Sequence, residues 1–181
     1  MRKCVILVDN SNLFIGGQKL AAHRNGASQN GDEHAAVDHT WRLSYDNLFN
    51  FLAAGREVEK AVMVGSESAE HPGPWNAARK NGFEVIVHER VAGHGEKCAD
   101  TELVVRGTEV ISTSSEPMTL VIGSGDRDFV PLVDAARRHD WDVELCAFQN
   151  SFDPEGAFAR SVDRVRPLDE AFEIIGFREH E

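Results

Sequence analysis

An apolar run that ends at two glycines and two aspartates limits the fold of this chain more than any other stretch. Thr119 to Ile122 is a short, mostly β-branched run of the kind found in strands that are buried on both faces. Gly123 and Gly125 interrupt it, and helical apolar spacing follows. The stretch predicts strand, tight turn and helix, with Asp126 and Asp128 at the carboxyl end of the strand. In open α/β sheets, that edge is where ligands bind.

Strand and helix patterns alternate along the rest of the chain. Further strands are predicted at Lys3 to Val8, Glu59 to Val64, Phe83 to Glu89, Trp141 to Phe148 and Val162 to Val165. Helical spacing lies between them, and a last helix is predicted at about Leu168 to Ile175. This alternation predicts an α/β fold with a mainly parallel central sheet and helices on both faces. We expect one domain over residues 1–181, with a polar insertion at about 23–40.

The composition narrows the class of protein. Lys and Arg number 19 against 30 Asp and Glu, so the formal net charge of −11 disfavours bulk affinity for polyanions. An acidic site neutralised by divalent cations remains compatible with this charge. No apolar run approaches the length of a membrane span, and three scattered cysteines fit reduced thiols better than disulfides. We therefore expect a cytoplasmic protein without membrane contact.

Aspartates from three stretches are predicted to meet at one edge of the sheet. Asp9 follows the first strand, Asp100 stands at the start of a helix, and Asp126 and Asp128 follow the run described above. Clustered carboxylates repel one another, so a divalent cation such as Mg²⁺ or Mn²⁺ would stabilise them at neutral pH. Such an ion supports phosphoester hydrolysis. The simpler interpretation is that each aspartate only caps a helix; Ser11 or Asn12 are further capping candidates.

Three motifs carry a resemblance to a known family. They are Val-Asp9-Asn10-Ser-Asn12, Glu-Lys97-Cys-Ala-Asp100 and Gly123-Ser-Gly-Asp126-Arg-Asp128-Phe. In this order, and over the chain to about Pro167, they resemble NYN domains, the LabA-like branch of the PIN-like nucleases. The resemblance implies a PIN-like three-layer α/β/α sandwich. It also implies a metal-dependent ribonuclease that hydrolyses RNA phosphodiester bonds with water activated by Mg²⁺ or Mn²⁺.

The candidate site residues fall into two groups. The resemblance implies an acidic catalytic site at Asp9, Asp100, Asp126 and Asp128, the first three as metal ligands and Asp128 in a supporting place within the first helical turn. Candidate contacts to nucleic acid are the polar or basic residues of the same motifs: Asn10, Asn12, Lys97, Ser124 and Arg127. The asparagines could orient a carboxylate or contact a sugar hydroxyl, and the two basic residues could contact phosphates.

One departure from the family pattern leaves a second function open. Many relatives carry a further acid about two turns into the central helix, where Arg106 stands in this chain. The number of bound metal ions, one or two, is therefore open, and Glu102 is a candidate substitute for the missing acid. The alternative function is a non-catalytic RNA-binding or adaptor module on the same fold, which Arg106 and the net charge favour and the aspartates oppose. The expected partner is single-stranded RNA. A protein that delivers the RNA and a homodimer are both compatible with the sequence.

Overall fold

The computed structural model describes residues 2–26, 36–67, 73–89 and 97–179, with the backbone alone at residues 89 and 97–99. Within these ranges the strands are β1 (Cys4–Asp9), β2 (Trp41–Leu43), β3 (Val58–Glu67), β4 (Glu84–Glu89), β5 (Thr119–Gly123), β6 (Asp142–Leu145), β7 (Arg164–Val165) and β8 (Gly176–Arg178). The α-helices are α1 (Asn10–Arg24), α2 (Tyr45–Ala53), α3 (Trp75–Lys80), α4 (Lys97–Thr113), α5 (Val130–Arg138), α6 (Ala157–Ser161) and α7 (Phe172–Ile175). Short 3₁₀ turns lie at Arg127–Phe129, Gln149–Ser151 and Leu168–Ala171.

Six strands form a parallel sheet in the order β4-β3-β1-β5-β6-β7. Every residue of β1 and β5 is buried, which explains the apolar runs Cys4 to Val8 and Leu120 to Ile122 within them. In the register, Val8 of β1 lies between Met63 of β3 and Gly123 of β5. The predicted α/β fold with a mainly parallel sheet is confirmed, and the two strands that precede Asp9 and Asp126 are neighbours.

The strand order reverses between β1 and β5. The chain adds β3 and β4 on one side of β1, and α4 then crosses to the other side, where β5, β6 and β7 follow. Right-handed crossovers place α1, α2 and α3 on one face of the sheet and α4 and α5 on the other. Gly107 allows α4 to approach the sheet closely, because a Cβ there would lie 2.8 Å from side chains of Leu7 and Leu132.

A small second sheet was not predicted. β2 and β8 pair antiparallel, with Arg42 opposite Phe177. Trp41 of β2 is buried and stacks on Phe172 at a centroid distance of 5.7 Å. The predicted last helix at Leu168 to Ile175 is instead a 3₁₀ turn and the short α7, because the chain must turn there to form β8.

The polar insertion predicted at about 23–40 is only partly described. Helix α1 continues to Arg24, so the helix extends further into this stretch than predicted. Residues 27–35 lie outside the described part of the chain. Where the description resumes, the backbone N–H of Asp38 donates to the carbonyl of Gln18, which fixes this segment against α1. The hydroxyl of Thr40 donates to the Asp38 carboxylate at 2.6 Å and lowers the pKa of Asp38.

A buried ionic network connects α2 to the sheet. The Glu144 carboxylate on β6 accepts from the guanidinium of Arg56 at 2.8 Å and lies 3.1 Å from Nε of Arg166. Both arginines also donate to the carbonyl of Leu52 near the end of α2. The network therefore satisfies helix carbonyls as well as charge.

Two further findings bear on the composition. Among the described residues, no helix is both long enough and apolar enough to cross a membrane. Cys4 and Cys146 are free and buried, and burial raises the pKa of Cys146 to about 11. The third cysteine, Cys98, has its side chain outside the described part of the structure.

Candidate active site

A pocket of about 280 Å³ lies at the carboxyl ends of β1 and β5, where the strand order reverses. Crevices of this kind are the usual ligand sites of open α/β sheets. Ten residues from the end of β1, α1, α4, the turn after β5 and the 3₁₀ turn after β6 line it: Asp9, Ser11, Asn12, Ile15, Gly16, Lys19, Asp100, Asp126, Asn150 and Ser151. The three aspartates predicted as metal ligands therefore line one pocket.

Three carboxylates form a tighter group within this region. Asp100, Asp126 and Asp128 each offer one oxygen, and these oxygens lie within 4.8 Å of one another. Oxygens bound to one Mg²⁺ at about 2.1 Å are at most about 4.2 Å apart, so small side-chain rotations would bring the group to bonding distance. The donor set is all oxygen, which fits a hard divalent cation. Asp128 belongs to this group, whereas Asp9 lines the pocket beside it.

The ends of two secondary-structure elements position the acids. Asp9 is the last residue of β1 and the N-cap of α1, and its Oδ1 accepts from the backbone N–H of Asn12 at 3.1 Å. Asp126 caps the 3₁₀ turn, and its Oδ1 accepts from the N–H of Asp128 at 2.9 Å. Asp9 rather than Ser11 or Asn12 is thus the cap of α1. One carboxylate oxygen of Asp126 caps the turn, and the other oxygen can bind a metal. Asp126 can therefore be both a helix cap and a metal ligand.

Polar side chains hold the Asp126 turn against α1. Oδ1 of Asn12 accepts from the backbone N–H of Gly125 at 2.9 Å. The hydroxyl oxygen of Ser124 accepts from the N–H of Asp126 at 3.2 Å, and Ser124 is fully buried. Ser124 therefore supports the turn from within, and its burial argues against the predicted contact with nucleic acid.

Asn10 is also buried, with 7% of its surface exposed. Its Oδ1 accepts from the hydroxyl of Tyr45 at 2.9 Å, which connects the start of α1 to α2. Burial raises the pKa of Tyr45, which favours the protonated hydroxyl that donates this bond. Asn10 therefore lies beneath the surface, whereas Asn12 lines the pocket, and the contact of Asn10 with nucleic acid stays a prediction.

The predicted basic contacts are placed unequally. Arg127 is exposed and lines a neighbouring pocket that shares Asp126 with the acidic one. Lys97 begins α4, but its side chain lies outside the described part of the structure.

Sequence reasoning missed six residues of the pocket wall as site residues: Ser11, Ile15, Gly16, Lys19, Asn150 and Ser151. Asn12, Gly16 and Lys19 are spaced four and three residues apart on α1, so their helical spacing was a usable signal. Asn150 and Ser151 lie near the carboxyl end of β6, two strands from β1, and no local pattern marks them. Nδ2 of Asn150 donates to the carbonyl of Gly16 at 2.9 Å and holds this segment beside α1.

Arg106 and Glu102 lie away from the acidic group. Nε of Arg106 donates to Oε1 of Glu102 at 2.9 Å, one turn apart on α4. At about 100° per residue, Glu102 and Arg106 project roughly 200° and 240° around the helix from Asp100. Glu102 is therefore not a substitute acid in the group, which among the described residues consists of Asp100, Asp126 and Asp128.

Comparison with known proteins identifies the class. The family model described as the NYN domain matches residues 3–169, so the chain belongs to the NYN domain family. NYN domains have a PIN-like fold, and membership indicates a nuclease. No curated protein sequence matches. The fold is similar to the crystal structure of a protein of unknown function from Vibrio parahaemolyticus, at a TM-score of 0.65 and 18% identity over 93% of this chain and 94% of that one.

Proposed function

We propose that the protein is a metal-dependent ribonuclease that hydrolyses phosphodiester bonds in single-stranded RNA. The observation that carries this proposal is the group of three carboxylates beside a pocket at the reversal of the strand order, in a chain of the NYN family. Such a group of acids has no use in binding a polyanion unless a cation offsets its charge.

The donor set suits one Mg²⁺ or Mn²⁺ held by Asp100, Asp126 and Asp128, with Asp9 beside it. When bound, such an ion lowers the pKa of a coordinated water and neutralises charge on the phosphoryl group. The chain's own residues position the substrate. Lys19 lies in the wall of the acidic pocket, and Arg127 lies in the wall of the neighbouring pocket. Each pocket therefore has one cationic side chain that can contact a phosphate.

The alternative of a non-catalytic binding module rested partly on Arg106. Because Arg106 pairs with Glu102 on another face of α4, it neither occupies nor neutralises the acidic group. The remaining support for the alternative is the net charge of −11, which local cations and a bound metal offset only in part. The catalytic proposal therefore has the more direct support.

The decisive experiment measures cleavage of a fluorescein-labelled single-stranded RNA with Mn²⁺, Mg²⁺ or EDTA. Asp126→Asn should lower the rate by at least about 100-fold, since loss of a metal ligand exceeds the effect of losing an outer partner. Asparagine retains an oxygen that can cap the 3₁₀ turn, so the fold should persist. The matched control is Asp140→Asn, because Asp140 is exposed, precedes β6 at the other end of the sheet, and has a φ of 60° that asparagine tolerates.

The control should retain full activity. If wild type and Asp126→Asn both fail to cleave RNA and DNA but bind RNA equally well, the result would favour the adaptor function. Cleavage that persists in EDTA would contradict a role for metal. Titration of Mn²⁺ by calorimetry into both variants provides a second readout that does not depend on finding the substrate.

A further inference from the structure

A second pocket of about 540 Å³ adjoins the acidic one and shares Asn12, Asp126 and Ser151 with it. We call it the side pocket. Its other walls come from the turn after β5, from the segment between β6 and α6, and from the start of α6, and they include Arg127, Phe152 and Phe158. The volume lies within the range of about 300–1,000 Å³ that is usual for small-molecule sites.

The walls of the side pocket combine an aromatic side chain with a cation, and the carboxylates of Asp126 and Asp153 also line it. Phe152 is half-buried at the pocket, whereas Phe158 is buried and supports the wall from the core. Arg127 is exposed and follows directly after the acidic residue Asp126. An aromatic face and a guanidinium at the edge of an acidic pocket match the two parts of a nucleotide, since bases stack on aromatic rings and phosphates pair with arginine.

The side pocket is held in shape before any ligand binds. A Cβ at Gly125 would lie 2.5 Å from the carbonyl oxygen of Ser151, so the Asp126 turn and the Phe152 segment are in direct backbone contact. The hydroxyl of Ser151 donates to the carbonyl of Phe148 at 2.7 Å, which fixes the 3₁₀ turn before Phe152. A wall that is already ordered loses less entropy when a ligand binds.

We propose that the side pocket binds the nucleotide next to the cleaved phosphodiester, with its base against the ring of Phe152 and its phosphate beside Arg127. This assignment rests on the proposed ribonuclease function in taking a polynucleotide as ligand. A base in a duplex reaches such a pocket only by leaving its stack, so the side pocket selects unpaired nucleotides. On this proposal, the side pocket is the surface that gives the protein its preference for single-stranded RNA.

The test is a cycle that combines a protein variant with an altered RNA. Binding of a fluorescein-labelled 12-nucleotide RNA is measured by anisotropy with Mg²⁺, in the Asp126→Asn background that blocks cleavage. A single abasic nucleotide is moved through the RNA. Phe152→Leu removes the aromatic ring but keeps an apolar side chain, and Phe177→Leu on β8 is the control, because Phe177 is exposed and is not among the residues that line either pocket.

With Phe152 present, one abasic position should weaken binding by about 10-fold, the size of a lost base–aromatic stack. Phe152→Leu should weaken binding of the intact RNA by a similar factor and should remove most of the binding penalty of the abasic nucleotide at that position. Phe177→Leu should change neither quantity. Abasic penalties that are unaffected by Phe152→Leu would overturn the assignment. Absence of binding to any single-stranded RNA would overturn it as well.

The cleavage assay separates this assignment from the proposed function. If wild type cleaves RNA but Phe152→Leu leaves the abasic penalty unchanged, the nucleotide assignment is refuted and the ribonuclease proposal stands. If Phe152→Leu removes the abasic penalty in a protein that never cleaves RNA, the ribonuclease proposal is refuted and the side pocket remains a nucleotide site. Circular dichroism and thermal unfolding of Phe152→Leu establish that its binding defect is not a folding defect.

Discussion

The hydrogen bond between Asn12 and Gly125 allows a quantitative prediction about how the candidate site is held together. Oδ1 of Asn12 accepts from the Gly125 N–H at 2.9 Å, and Gly125 is buried. Asn12→Ala leaves this donor without a protein partner, which costs about 1–2 kcal/mol for a partly buried bond. In a chain of 181 residues, that loss lowers the unfolding midpoint by about 2–8 °C.

The same substitution should weaken metal binding. The bond holds the turn that carries Asp126, so its loss allows the carboxylate to move relative to Asp100 on α4. Removal of a partner that orients a ligand usually lowers metal affinity by about 10–100-fold. We therefore expect Asn12→Ala to lower the affinity for Mn²⁺ by at least about 10-fold while the protein remains folded at 25 °C.

Urea unfolding followed by tryptophan fluorescence gives the change in stability, and calorimetric titration of Mn²⁺ gives the change in affinity. The matched control is Asn50→Ala on α2, because Nδ2 of Asn50 donates to Oδ1 of Asp46 on the exposed surface. Its effect on stability should stay within about 0.5 kcal/mol. If Asn12→Ala changes stability and Mn²⁺ affinity no more than Asn50→Ala does, the bond does not hold the site and the reasoning is wrong.

Two further predictions concern the core. Glu144→Gln removes the negative charge between Arg56 and Arg166 and should cost about 3–5 kcal/mol in urea unfolding, because two largely buried guanidinium groups lose their counter-charge; a loss below about 1 kcal/mol would contradict this. Burial raises the pKa of Cys146 from 9.0 to about 11, so between these values the unfolded chain releases the thiol proton first and stability falls as pH rises. At pH 10 this amounts to about 1.4 kcal/mol. Cys146→Ala should therefore lose less stability than wild type between pH 7 and pH 10, and parallel losses would refute the assignment.

The central strands were predictable because burial on both faces leaves a continuous apolar run. This holds for β1 and β5, and it also made the acids after them visible. The same signal overextended β6, which was predicted as Trp141 to Phe148 but ends at Leu145. Cys146 to Phe148 remain buried beyond the end of the strand, so their apolar character reports burial and not strand pairing.

Features that depend on distant pairing were not predictable. β2 and β8 contain three residues each, and they pair across most of the length of the chain. Strands this short show no clear alternation, and the segment that Trp41 packs against is fixed only by the tertiary fold. The candidate site was also hard to predict in detail, because Asp100 on α4 and Asp128 in the 3₁₀ turn approach Asp126 only in the tertiary fold. Local patterns identified the acids but not which of them lie closest.

The reversal of the strand order has a consequence for protein synthesis. Asp9 belongs to the half of the sheet made first, Asp100 lies on the helix that crosses between the halves, and Asp126 follows the first strand of the second half. A nascent chain that ends before β5 contains neither Asp126 nor the strand that places it beside β1. The acidic group is therefore not assembled on a nascent chain until β5 has left the ribosome and paired with β1.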